Sequence, residues 1–183
     1  MAEIQRAFIG RFAKAAIGRL TSFADCRSGA TALEFGLVAA PFIGMLMAIL
    51  QAGLVFLAQQ VLQTATTQAA RLVMTGQAQS LTAAQYQQDV CNDASSLFTC
   101  SGIYVNVQTF SSFSSMTQMS PLQSGNLNSN TMSYSTGNPG DIVLVQVFYQ
   151  WPIILGPLSF TLSNMNGNYR LLVGTAVFRN EPY

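Results

Sequence analysis

The sequence predicts an α+β protein, in which a long N-terminal transmembrane helix continues into a small extracytoplasmic domain with a three-stranded antiparallel sheet. Three observations carry that prediction. Residues 35–57 form an apolar run without a single charge. Beyond it, apolar residues keep helical spacing as far as Gly76. Closer to the end, three stretches have the alternation or the dense branched-apolar content of strands.

Charge is sparse, 8 % of 183 residues, and apolar residues make up 50 %. The net charge of +1 hides an asymmetry. Arg6, Arg11, Lys14, Arg19 and Arg27 precede Gly29, against Glu3 and Asp25. After Gly29 the bases are Arg71, Arg170 and Arg179, and the acids outnumber them. Positive charge beside a first membrane helix keeps that flank cytoplasmic, so the C-terminal domain is expected outside. The same distribution argues against nucleic-acid binding. With no histidine, the commonest general base and metal ligand is missing. No carboxylate pair, phosphate loop or cysteine cluster takes its place, so no catalyst, metal or cofactor is expected.

Residues 1–29 read as a cytoplasmic leader. Phe8, Ile9, Phe12, Ala16, Ile17, Leu20 and Phe23 recur at helical spacing among basic residues. That pattern fits an amphipathic helix on the inner leaflet. A disordered leader held near the membrane by charge fits equally well. A secretory signal has its small-residue cleavage site after the apolar segment, whereas here Gly29 comes before it.

The apolar run suits a membrane helix, which needs about 20 residues and satisfies its own backbone hydrogen bonds. Pro41 removes one such bond, so a mild kink is expected. Gly36, Ala40, Gly44, Ala48 and Ala52 recur at every fourth position. They are either a packing stripe for neighbouring helices or the ordinary small-residue content of membrane spans. Glu34 is a carboxylate at the entry to hydrocarbon, which is costly unless it caps the helix dipole or has a partner. Past the span, Ala58, Leu62, Ala65, Ala69 and Leu72 form a narrow seam, for the domain or for other helices. A continuous helix over residues 32–75 would measure about 65 Å, with Gly76 as its stop.

Residues 81–98 suggest a second helix, capped by Ser80 or Thr82. Cys91 and Cys100 are expected to form a disulfide outside the cytoplasm. Two buried thiols, or half of a metal site, are the alternatives. Cys26 in the leader would stay reduced. Residues 103–110 alternate as a half-buried strand. Residues 141–151 read as the central strand, covered on both faces, and Pro152 and Pro157 then break it. Residues 169–178 form the third strand after the turn Asn166-Gly167-Asn168. The Ser- and Asn-rich stretch 111–140 is either a partner-contact loop or a flexible insertion.

Gly29, four residues, then Glu34 and Phe35 directly before a membrane helix resembles the cleavage site of type IV prepilin-like proteins of the Tad (tight adherence) branch. Together with the helix to Gly76, the strand at 141–152 and the ending Arg179-Asn180-Glu181-Pro182-Tyr183, it resembles a TadE-like minor pseudopilin. Residues 111–140 depart from that pattern. The resemblance implies cleavage after Gly29 by a prepilin peptidase, leaving Ala30 as the first mature residue. It divides the chain into a cleaved leader (1–29), a transmembrane and extended helix (30–76) and a periplasmic pseudopilin domain (77–183). It implies a bacterial inner-membrane protein needed to assemble a Tad pilus as tip or priming subunit. Its partners would be the peptidase, other pilins and pseudopilins, the inner-membrane assembly platform and membrane lipid. The main pilin of such systems is much shorter. A membrane-anchored ligand-binding or adhesin ectodomain outside any filament, and an anchored exported enzyme, are the competing functions.

Overall fold

The computed structural model describes residues 27–154 and 162–183. The leader helix, Cys26 and the break at Pro157 lie outside the described residues. Helix α1 runs over Arg27–Met74, uninterrupted through Pro41. It already covers residues 27–31, ahead of the expected position 32. Gly76 ends the helical path by taking a left-handed φ of 78°, which glycine adopts without steric cost. Its N–H donates to the Val73 carbonyl at 3.1 Å.

Helix α2, Ala83–Ala94, is shorter than the 81–98 read from the sequence. Of the two expected caps, Thr82 is the one used. Its hydroxyl accepts from Gln85 N, and the Gln85 side chain returns a bond to Thr82 N. The early stop follows from the disulfide. A helix carried through Phe98 would put position 100 about 13 Å from Cys91 at 1.5 Å per residue. The chain turns back instead, and Cys91 and Cys100 are bonded with Cα atoms 5.3 Å apart. Phe98 drops into the core against Tyr149 and Trp151, at ring distances of 4.6 and 5.9 Å.

Strands β1 (Ile103–Phe110), β4 (Ile142–Pro152) and β5 (Tyr169–Arg179) form an antiparallel sheet in the order β1-β4-β5. The central place of β4 is as expected, and residues 142–149 are all buried. A two-stranded hairpin, β2 (Leu122–Gln123) and β3 (Asn126–Leu127), lies within the long middle stretch. Glycine chemistry makes the turns. Ser124 and Gly125 in the hairpin, and Gly167 and Asn168 before β5, all have positive φ.

One face of the sheet packs on α1. The buried cluster joins Leu62, Ala65, Ala69 and Val73 of the helix to Val107, Val145, Val147 and Leu172 of the sheet. The second face of β1 is half-buried at Tyr104, Gln108 and Phe110, as the alternation predicts, with one exception. Asn106 is fully buried there, opposite Gln146 in the register. Its amide donates to Gln146 Oε1 at 3.2 Å, and its carbonyl oxygen accepts from Ser133 N at 2.9 Å. The Gln146 amide donates to the Met119 carbonyl at 3.3 Å. Ser133 and Met119, within residues 111–140, supply two of these partners, so that stretch is not a flexible insertion, and a partner-contact role for its exposed residues is compatible with this packing. The stretch is a cover for the outer face of the sheet. Residues 133–135 add a short parallel bridge to β1, with Val107 N on Ser133 O at 2.8 Å. Asn166 braces the hairpin through Gly125 O at 2.8 Å.

Tyr86 of α2 is fully buried, and its hydroxyl is unbonded among the described residues. Burial pushes its pKa well above the usual tyrosine range, with smaller contributions from Tyr134 and Asp89. It stays a neutral, largely apolar wedge beside Tyr134, whose hydroxyl donates to the Ala78 carbonyl at 3.2 Å.

The disulfide closes a short loop, nine residues apart in sequence. Replacing both cysteines by serine should lower unfolding stability by about 2–3 kcal/mol in the chain-entropy account. Denaturant titration of the oxidised protein beside the double variant measures this. Equal midpoints would show that the bridge holds nothing the helix cap and Phe98 do not already hold.

Candidate functional site

The candidate site is α1, whose lower and upper parts serve different surroundings. In the lower part, Gly29 and Ala30 are helical. Glu34 is exposed and stands about two turns into α1, whose first turn contains no acid. Phe35 is 75 % exposed. The helix is long and apolar enough to cross a membrane, and no part of its most apolar window is buried in the protein. That is consistent with a single-pass membrane protein.

The small-residue stripe divides. Gly36 and Ala40 are exposed, and a Cβ at Gly36 would meet nothing within 4 Å. Gly44, Ala48 and Ala52 are half-buried. Ala52 lines a small cavity with Val55, Phe56, Gln59, Leu162, Arg170 and Leu172, so the top of the stripe meets the chain's own domain.

Above Val55 the helix becomes a spine. The seam of Ala58, Leu62, Ala65 and Ala69 is fully buried against the domain, and Val73 rather than the half-buried Leu72 completes it. Alanines keep the seam thin, which lets β5 come close. The closest approach is at Gly174, where a Cβ would fall on Thr66 Oγ1 and within 3.1 Å of the Leu62 carbonyl. Thr66 is itself fully buried and returns its hydroxyl to Leu62 O at 2.7 Å.

Two glutamines, which in the sequence read only as polar spacers, close the edge of β5. Gln59 donates to the Val173 carbonyl at 2.8 Å. Gln63 donates to the Thr175 carbonyl at 2.9 Å and accepts from Thr175 N at 3.1 Å. A glutamine amide has the donor and acceptor of a peptide group, so Gln63 pairs with β5 as a strand would. The only signal for this in the sequence was the four-residue spacing of the pair.

The ending quoted for the resemblance grips the top of α1. Glu181 N donates to the Met74 carbonyl at 3.0 Å, one of the carbonyls a helix end leaves open. The buried Asn180 amide donates to Thr136 O at 2.8 Å and Asn138 O at 3.1 Å. The Tyr183 ring covers Gly76, with its nearest atom 2.6 Å from where a Cβ would stand.

This geometry gives the comparison with known proteins its meaning. Residues 29–71 match the family model described as TadE-like protein. The match is consistent with a TadE-like protein of the Tad pilus system. It begins on Gly29 and ends near the top of the spine, entirely within α1. The TadE-like family suggests a Tad-pilus-associated, minor-pilin-like role, and its members are structural proteins. It implies contact with pilus components in general. Neither curated proteins nor solved structures give a match.

The Gly174 approach can be tested directly. Gly174→Ala should destabilise the domain by about 1–3 kcal/mol through overpacking against Thr66 and the Leu62 carbonyl. Gly36→Ala, with open space around it, should leave the domain's melting unchanged. Thermal unfolding of both variants in detergent checks the contrast.

Proposed function

We propose that this protein is a minor pseudopilin needed to assemble a Tad-type pilus, acting as tip or priming subunit after a prepilin peptidase cuts behind Gly29. The observation that carries the reading is the TadE-like match beginning at Gly29, with Glu34 and Phe35 at prepilin spacing before an apolar helix. In this reading residues 1–29 are the removed leader, 30–76 the membrane and extended helix, and 77–183 the periplasmic domain. The protein resides in the inner membrane with its amino terminus cytoplasmic until assembly.

The chemistry follows from the cut. Hydrolysis of the Gly29–Ala30 peptide bond creates an ammonium at Ala30, one turn from Glu34. Among packed helices in a dry filament core an unpaired charge costs several kcal/mol, so that ammonium needs a carboxylate. Its own Glu34 is near in sequence, and a staggered neighbour can offer a second one. Gly36, Ala40, Gly44, Ala48 and Ala52 would let the neighbouring helix approach. The assembly platform, other pilins and membrane lipid are the partners this reading needs.

Intact mass of the protein recovered from membranes tests processing. The expected species begins at Ala30, and Gly29→Val should leave the leader attached. A protein that keeps Met1, or begins beyond the apolar run, would favour an anchored ligand-binding ectodomain outside any filament.

Glu34→Ala should be processed and inserted normally, because removing a charge eases insertion, yet yield few pili. Pilus counts beside a Glu34→Gln strain give the measurement. Normal numbers in both would reduce Glu34 to a dipole cap worth about 0.3–1 kcal/mol at the new helix end.

A further inference from the structure

The lower end of the sheet faces a surface that neither the pilin reading nor the family match describes. Its level along α1 is fixed by hydrogen bonds. Thr175 pairs with Gln63 and Val173 with Gln59, so β5 descends the helix as its numbering falls. Arg170, Leu172 and Leu162 then meet Ala52, Val55 and Phe56 around the small cavity. Counting the hydrocarbon span from Phe35, the first residue after Glu34, about 20 residues end near Leu54. The floor of the sheet therefore stands beside the residues of α1 at which a span of that length runs out. Beside it the helix is still bare and apolar, with Leu54, Phe56 and Leu57 exposed by 52, 75 and 51 %.

The floor itself has the composition of a membrane interface. Trp151 is opposite Arg170, and Pro152 is opposite Tyr169. Ile154, just past the end of β4, is 85 % exposed, and Tyr169 is 39 % exposed. Tryptophan and tyrosine favour the headgroup layer, because their rings are apolar and their polar tips want water. An arginine at that depth buries its stem and turns its guanidinium to phosphate. One Arg170 N–H donates to the Leu162 carbonyl at 2.9 Å, and among the described residues no carboxylate lines the cavity beside it.

We propose that this floor rests in the phospholipid headgroup layer next to the point where α1 leaves the hydrocarbon. Ile154 enters the acyl boundary, Tyr169 sits among the headgroups, the half-buried Trp151, packed on Phe98 and Tyr149, borders them, and Arg170 meets a lipid phosphate. The domain is thereby held against the bilayer before assembly, at one height and one tilt. This rests on the reading of α1 as a single membrane span, and on nothing specific to pili.

Trp151 is the chain's single tryptophan, so its fluorescence reports the floor alone. The full chain is reconstituted into phosphatidylglycerol–phosphatidylcholine vesicles, with lipids either plain or brominated high on the acyl chain. Brominated lipid should quench Trp151, while aqueous iodide reaches it poorly. Ile154→Asp places a charge at the acyl boundary and should weaken the lipid quenching about twofold or more, with melting unchanged because the site is exposed. Trp151 untouched by brominated lipid, in protein that resists alkaline carbonate extraction, would overturn the proposal. Quenching that Ile154→Asp leaves unaltered would overturn the role given to this floor. Extraction of the chain by carbonate would instead remove the membrane span itself, and is read separately.

Discussion

The close approach of β5 to α1 at Gly174 is the contact on which the rest of the domain depends. Helix and strand come together there with only the small Thr66 side chain between the Gly174 backbone and the Leu62–Thr66 turn of the helix. Everything around that point is thinned to allow it. Ala58, Ala65 and Ala69 line the helix seam, and Ala176 follows on the strand. Once the two backbones are this close, Gln59 and Gln63 can reach across to the strand's outer edge. The unpaired backbone of an edge strand invites pairing with another chain, and here it is occupied from within. The buried valines of β4 and β1 then fill the remaining volume behind the helix.

Much of this was legible in the sequence. Periodicity located the spine, the three strands and the central place of β4, because each buries a regular set of apolar residues. The cysteine pair and Gly76 were legible because their chemistry leaves few other roles. What escaped was polar. Asn106 looked like the solvent side of an alternating strand, yet it is buried because Gln146 and Ser133 satisfy it. A pattern of apolar and polar letters cannot register a polar residue whose partners lie 27 and 40 positions away. The covering stretch 111–140 was missed for the same reason, since it holds on through backbone and amide bonds more than apolar periodicity. Helix α2 was read too long because the run of helix-compatible residues outlasts the point where the disulfide turns the chain. In the candidate site, Gly29, Ala30, Glu34 and Phe35 were readable as a motif. That the helix already covers all four of them was not, because no capping signal in the sequence marks where it begins.

One helix thus has two sets of obligations. Below, its exposed apolar surface suits lipid or other helices, and Glu34 stands exposed near its start. Above, it is the buried layer of an α+β domain, and its end is closed by the last residues of β5 and beyond. A substitution in the upper seam acts on folding. One at Gly36, where a Cβ would meet nothing within 4 Å among the described residues, disturbs no packing, so a defect there reports on partners.

The glutamine seal on β5 also sets a folding order. The bonds of Gln59 and Gln63 to β5 span 114 and 112 residues. Such contacts form late, because the entropy of closing so long a loop is spent before they return anything. Gln59 and Gln63 emerge from synthesis 114 and 112 residues ahead of their partners on β5. In the interval β4 already exposes one row of backbone groups, and β5, on arrival, exposes another. During that window the nascent chain is competent to pair with a second copy of itself. A helix fixed in place early shortens the window, since the strand then searches against a stationary template and not a moving one.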